Sequence, residues 1–255
     1  MNKKDFSIVA IILAGGFGSR MGNLTKNNHK TMLKIGNFPI LAHLYTQLRI
    51  NFIKKIIICS GYKSDGIKRY TKNIIKKDSD KILKLIKNHN NYDYPKIIIS
   101  RLPATHSTSQ RIFKIKDKIK NDEFLFIYGD TLLKPSLFKL KKYLTNKKNS
   151  VALTLSKPQS KFGKVKTKVN KIIEYNEKNL KNETWVNSGW CLISSKFKNL
   201  FTDNKRNFEN YFFNKIIKKN CLFAVKNNNF YLPIDTNTDL NLANNLWKKN
   251  KKLWF

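Results

Sequence analysis

Residues 8 to 13, Ile-Val-Ala-Ile-Ile-Leu, make an apolar run of strand length that passes straight into Ala14-Gly-Gly-Phe-Gly-Ser-Arg20. Rich in β-branched side chains and too short for a core helix, the run predicts a buried strand. Glycine is scarce, ten in 255 residues, yet Gly15, Gly16, Gly18 and Gly22 all fall within the nine residues after that strand. Such a loop at a strand's carboxyl end presents free backbone N–H groups that can cradle phosphate oxygens. A tight structural turn would use the same glycines. Arg20 and Lys30 favour the phosphate reading, because a triphosphate needs both a planar cationic fork and a mobile point charge.

Further along, short apolar strands alternate with amphipathic stretches, which predicts an α/β fold: a Rossmann-like, three-layer αβα arrangement around a mostly parallel sheet. Expected strands are 7–13, 55–59, 96–100, 124–128, 151–155, 165–169, 172–175, 186–193, 222–226 and 230–234. Expected helices are 39–50, 61–70, 81–86, 135–144, 208–219 and 239–247. No tandem repeat or Pro/Gly/Ser linker divides the chain, so residues 1–255 are expected to form one domain, its two halves sharing a sheet.

At 41% hydrophobic and 12% aromatic, the chain has enough apolar surface for a core, which excludes a disordered protein despite 51 basic against 16 acidic residues. The net charge of +35 comes almost wholly from lysine scattered from Lys3 to Lys252. A nucleic-acid binder more often gathers Arg and aromatics into one stripe, so the excess reads as solvated surface and no specific nucleic-acid partner is expected. Cys59, Cys191 and Cys221 are odd in number and far apart among apolar neighbours. They read as buried thiols of a reducing compartment. The basic start with its apolar run imitates a signal peptide, but no convincing cleavage site follows. No segment reaches the ~18 apolar residues of a membrane span. A cytoplasmic protein with no membrane insertion is the expectation.

Two carboxylates stand apart from the rest. Asp130 follows the apolar run Phe124–Tyr128 and Gly129, and Asp235 follows Phe230–Ile234. Acids at the carboxyl ends of strands in an open α/β sheet stand where ligands bind, and two of them can hold Mg²⁺ against phosphate oxygens. Helix capping is the rival reading for each, more so for Asp235, since Thr236 and Asp239 lie beside it.

Leu13-Ala-Gly-Gly-Phe-Gly-Ser-Arg20 and Lys30-Thr-Met-Leu-Lys-Ile-Gly-Asn-Phe-Pro-Ile40 resemble the signature of sugar-1-phosphate nucleotidylyltransferases, LAGGxGTR followed by PKPMLPIGGKPI. Within that family the chain is most similar to the glucose-1-phosphate cytidylyltransferases. The further matches are Cys59–Lys63, Ile67–Tyr70, Tyr128–Asp130, Phe162-Gly163, Glu177-Lys178, Val186–Gly189 and Pro233–Thr236 before Asp239. The resemblance implies the nucleotide-diphospho-sugar transferase fold. It also implies a transfer from an NTP, CTP favoured, to a sugar 1-phosphate, yielding an NDP-sugar for surface polysaccharide and pyrophosphate.

The same resemblance implies roles. Leu13, Ala14, Gly15 and Gly16 would face base and ribose, with Gln110 and Gly129 also in the nucleotide site. Gly18 and Arg20 would meet the β- and γ-phosphates, and Lys30 the α-phosphate. Asp130 and Asp235 would hold Mg²⁺. Lys178 would bind the sugar phosphate, with Gly163, Glu177 and Asn187 lining the sugar pocket. Homo-oligomerisation is left open.

Several positions depart from the signature. Ser19 stands for Thr, His29 and Thr31 for the prolines flanking the lysine, and Asn179 for the proline of Glu-Lys-Pro. Ser109 and Gln110 replace both glycines of the subfamily's Thr-Gly-Gly-Arg segment, adding side chains beside the nucleotide. Tyr62, Tyr175 and the Trp185–Trp190 run are expected in the core, and neither His29 nor His106 is expected to catalyse. Two rival functions are a silent nucleotide-sensing homologue, disfavoured by the joint presence of Arg20, Lys30, Asp130 and Asp235, and a basic nucleic-acid binder.

Overall fold

The computed structural model describes residues 8–119, 123–146, 149–158, 164–168, 170–176, 184–203 and 207–255. Seven strands form the central sheet: β1 (Ile8–Ala14), β2 (Lys55–Ser60), β3 (Lys96–Arg101), β4 (Glu123–Tyr128), β5 (Val151–Ser156), β6 (Val186–Ile193) and β7 (Leu222–Asn227). Their order across the sheet is β3-β2-β1-β4-β6-β5-β7. Only β6 runs antiparallel, wedged between β4 and β5. Strands from both halves of the chain thus share one sheet.

β1 shows why a continuous apolar run was needed. Ile8, Ala10, Ile12 and Ala14 point to one face and Val9 and Ile11 to the other, each face meeting its own buried cluster. The first cluster is closed by α1 (Ile40–Ile50), α2 (Ser64–Asn73), α3 (Ile75–Leu85), and, further along, α5 (Leu137–Asn146) and α7 (Asn237–Lys249). The second is closed by α4 (Thr108–Ile119) and α6 (Phe208–Lys218), whose Phe208 and Phe212 stack at 5.2 Å beside Phe201. This is the expected three-layer α/β arrangement.

Three expectations about local structure change. Between 101 and 123 the sequence pattern predicts no element, and the structure places α4 there. Tyr62 is half-buried, outside the core, with its ring 5.5 Å from the exposed Phe17. Cys59 and Cys191 are buried thiols, pushed up by burial, Cys59 to about 12, but Cys221 is half-exposed just before β7. No described helix is long and apolar enough to cross a membrane.

Candidate active site

The parallel register carries the site. Leu13 pairs with Cys59 on β2 and with Tyr128 on β4, so the segments after β1, β2 and β4 leave the same end of the sheet side by side. Between them opens a cleft of about 210 Å³ lined by Leu13 to Gly16, Gly18, Arg20, Lys30, Gly129 and Asp130. Glycine is obligatory at two of these positions. A Cβ on Gly129 would lie 2.7 Å from the Leu13 carbonyl, and one on Gly15 would lie 2.2 Å from Arg111 Nε.

Arg111 is one residue that sequence reasoning missed. From the first turns of α4 its buried guanidinium donates to four carbonyls: Ser60 (2.7 Å), Leu102 (3.1 Å), Gly15 (3.2 Å) and Pro103 (2.7 Å). It therefore rivets the ends of β2 and β3 to the glycine loop. Burial lowers its pKa from the ordinary arginine value. Its only trace in the sequence is the match to the arginine closing the subfamily's Thr-Gly-Gly-Arg segment.

Asp130 and Asp235, 105 positions apart, converge on one point, and Lys30 occupies it. Lys30 Nζ lies 2.9 Å from Asp130 Oδ2 and 2.8 Å from Asp235 Oδ1, with its side chain only 10% exposed. Arg20, on the open rim, donates to Asp235 Oδ2 at 2.9 Å. What joins the two acids is a short antiparallel ribbon of Thr131–Leu133 with Tyr231–Pro233, closed by the Ile234 N–H donating to the Asp130 carbonyl at 2.8 Å. The capping reading of Asp235 fails for a structural reason. Thr236 caps α7 through Asp239, and the Asp239 carboxylate also accepts the Asp235 backbone N–H at 3.0 Å. The Asp235 side chain is thereby left to the cations.

A second opening of about 290 Å³ shares Leu13, Arg20 and Asp130 and adds Tyr128, Asn187, Tyr231 and Asp235. Asn187 Nδ2 donates to the Tyr128 hydroxyl (3.2 Å), which donates to Glu209 Oε1 (3.1 Å). Burial, then the Glu209 charge, pushes the Tyr128 hydroxyl above its ordinary pKa, so it remains a neutral donor. Sequence reasoning did not single out Glu209 or Tyr231. Gln110 is not brought to either lining: its Oε1 accepts the Ser107 N–H (3.0 Å) and Ser107 Oγ accepts the Gln110 N–H (3.2 Å), a capping box at the start of α4. Gly163, Glu177 and Lys178 lie outside the described residues.

The model of the nucleotidyl transferase family matches residues 9–253. The chain belongs to that family. A relative named glucose-1-phosphate cytidylyltransferase, from Salmonella typhimurium, is 27% identical over 96% of this chain and 98% of its own length. A Campylobacter jejuni protein named D-glycero-alpha-D-manno-heptose 1-phosphate guanylyltransferase is 28% identical over 84% of this chain and 90% of its own. Among solved structures, a putative glucose-1-phosphate thymidylyltransferase from Bacillus anthracis in complex with a sucrose superposes with a TM-score of 0.68. That structure shares 22% identity over 94% of both chains, which shows the shared fold.

Proposed function

We propose that this nucleotidyl transferase joins an NTP to a sugar 1-phosphate, with CTP the favoured nucleotide, making an NDP-sugar for surface polysaccharide in the cytoplasm. The observation that carries the reading is the convergence of Asp130 and Asp235 on Lys30 Nζ at the mouth of the glycine-loop cleft. The near end-to-end similarity to the cytidylyltransferase supports the choice of CTP.

The reaction needs no general base, because the attacking sugar phosphate is already an anion near neutral pH. One of its oxygens forms a bond to the nucleotide's α-phosphorus, and the bond from that phosphorus to the bridging oxygen breaks. Pyrophosphate leaves with the electron pair. The protein has to bring two anions together and hold them in line. The Leu13–Gly16 backbone is assigned to base and ribose, Gly18 and Arg20 to the β- and γ-phosphates, and Lys30 to the α-phosphate. Gly129 packs the cleft floor against Leu13, and Asn187 with Tyr128 faces the acceptor.

Two carboxylate oxygens that converge on one cation suit Mg²⁺, a hard ion that prefers oxygen donors. The described residues gather no cluster of three or more acidic, histidine or cysteine ligands, so phosphate oxygens and water would complete the shell held by Asp130 and Asp235. When bound, the ion would neutralise charge on the triphosphate. Lys30, paired with both acids here, is the cation assigned to the α-phosphate.

The test is pyrophosphate release by the purified protein across four NTPs and a panel of sugar 1-phosphates, with and without Mg²⁺. Metal-dependent turnover with CTP in excess of the other nucleotides is expected. Absence of turnover with every pair would defeat the reading in favour of a silent homologue. Preference for another base would overturn the CTP assignment alone.

A further inference from the structure

His29 precedes Lys30, is only 4% exposed, and lines the cleft with Gly16 and Lys30. The signature has proline here and again at Thr31, so this chain lacks both rings that would stiffen the backbone around the lysine. The backbone is nevertheless held as a proline would hold it. His29 sits at φ −67° and ψ 146°, within the narrow range a pyrrolidine ring imposes.

A side-chain device takes the place of the rings. His29 Nδ1 accepts the Thr31 N–H at 3.1 Å and meets the Thr31 hydroxyl at 2.9 Å, capping the turn Lys30–Met32. The Met32 N–H donates to the His29 carbonyl at 2.8 Å and the Leu33 N–H to that of Lys30 at 3.1 Å, closing it. Proline at 31 would have no N–H to give, and proline at 29 no ring nitrogen to receive it. The two departures are matched, each supplying what the other needs. Thr31, 1% exposed, is in turn packed with its methyl group against Gly129. Lys30 is therefore held between two locked neighbours while its Nζ reaches Asp130 and Asp235.

We infer that His29 is a positioning residue for the nucleotidyl transfer: through Nδ1 and Thr31 it fixes the turn from which Lys30 reaches the reacting phosphates. The inference rests on the function proposed above.

Its test measures pyrophosphate release by the full chain and by His29→Ala, His29→Asn, Lys30→Ala and the double variant His29→Ala/Lys30→Ala, with thermal melts alongside. His29→Ala should lower kcat at least tenfold and leave KM for both substrates within about threefold. His29→Asn should recover kcat to within about threefold of the parent, because an asparagine oxygen accepts the N–H two residues on in the same way. Since His29 acts through Lys30, its loss should matter less than about twofold in the Lys30→Ala background. Parental kcat in His29→Ala, an asparagine variant as slow as the alanine one, or a full further loss in the double variant would each overturn the assignment. A parent protein silent with every substrate pair would instead defeat the functional reading, and the inference with it.

Discussion

Lys30 is a counter-ion before it is anything else: its ammonium lets two carboxylates that would otherwise repel one another share one side of the cleft. This makes an opposed pair of expectations for one substitution. Lys30→Ala should lower kcat/KM by about 3 kcal/mol, roughly two orders of magnitude, the scale of one preorganised charge contact. It should also strengthen divalent-ion binding, because the ammonium no longer competes for Asp130 and Asp235. Thermal-shift titration with Mg²⁺ should reach half its effect at a lower concentration in Lys30→Ala than in the parent; equal or weaker binding would contradict shared use of the two acids. Arg111 makes a different case, since its four acceptors are all carbonyls. Arg111→Ala strands them and leaves the glycine loop unpinned, and should cost about 3 kcal/mol of stability or more in urea unfolding.

At the scale of elements, two devices place the acids. The ribbon of Thr131–Leu133 with Tyr231–Pro233 sets Asp130 and Asp235 side by side, and the capping box of α7 frees Asp235 from helix duty. Asp239→Ala should therefore lose more activity than stability. The lost cap is worth about 1 kcal/mol, whereas release of the Asp235 N–H loosens the carboxylate opposite Lys30 and should lower kcat/KM at least tenfold. Parallel urea titrations and steady-state assays check this; losses of equal size in both would assign Asp239 to capping alone. The absence of α4 from the expected elements has a local cause. Its first residues, Thr108-Ser-Gln, are polar, and its apolar positions Ile112, Ile115 and Ile119 are spread through lysines. The signal that could have found it is Ser107 followed three residues later by Gln110, the sequence mark of a capping box.

Over the whole molecule, the last residues are tied into the core beside α1. Trp254 is fully buried, stacks on Trp247 at 5.3 Å, and donates its indole N–H to His43 Nδ1 at 3.4 Å, while His43 Nε2 donates to the Ile35 carbonyl. Gln47 donates to the Trp254 carbonyl. Trp254→Ala should cost about 3–5 kcal/mol, as large aromatic truncations in a core do. Burial pushes both His43 and His29 down from 6.5 to about 4. Above pH 6.5 both are neutral whether the chain is folded or not, and their burial carries no proton-linked cost. As pH falls from 6.5 toward 4, the unfolded chain takes up protons that the folded chain refuses, so stability drops through that window and levels below it. Each histidine should remove up to about 3 kcal/mol. Urea unfolding at pH 7.5, 6 and 5 checks the direction, and His43→Gln should flatten its share of the slope.

What the sequence determined alone was whatever follows from neighbours along the chain. The Ile8–Leu13 run, the glycines behind it, the alternation of strands and helices, and the candidacy of Arg20, Lys30, Asp130 and Asp235 could be read there because periodicity, turn chemistry and short motifs are local properties. The tertiary structure alone decided what depends on residues far apart meeting. It placed Lys30 between two acids, chose Thr236 and Asp239 over Asp235 as the cap of α7, turned Arg111 inward onto Gly15, and made His29 and Thr31 stand in for prolines. Each of these is a contact across a strand end or a loop, and no spacing rule along a chain encodes which two loops a parallel sheet will set side by side.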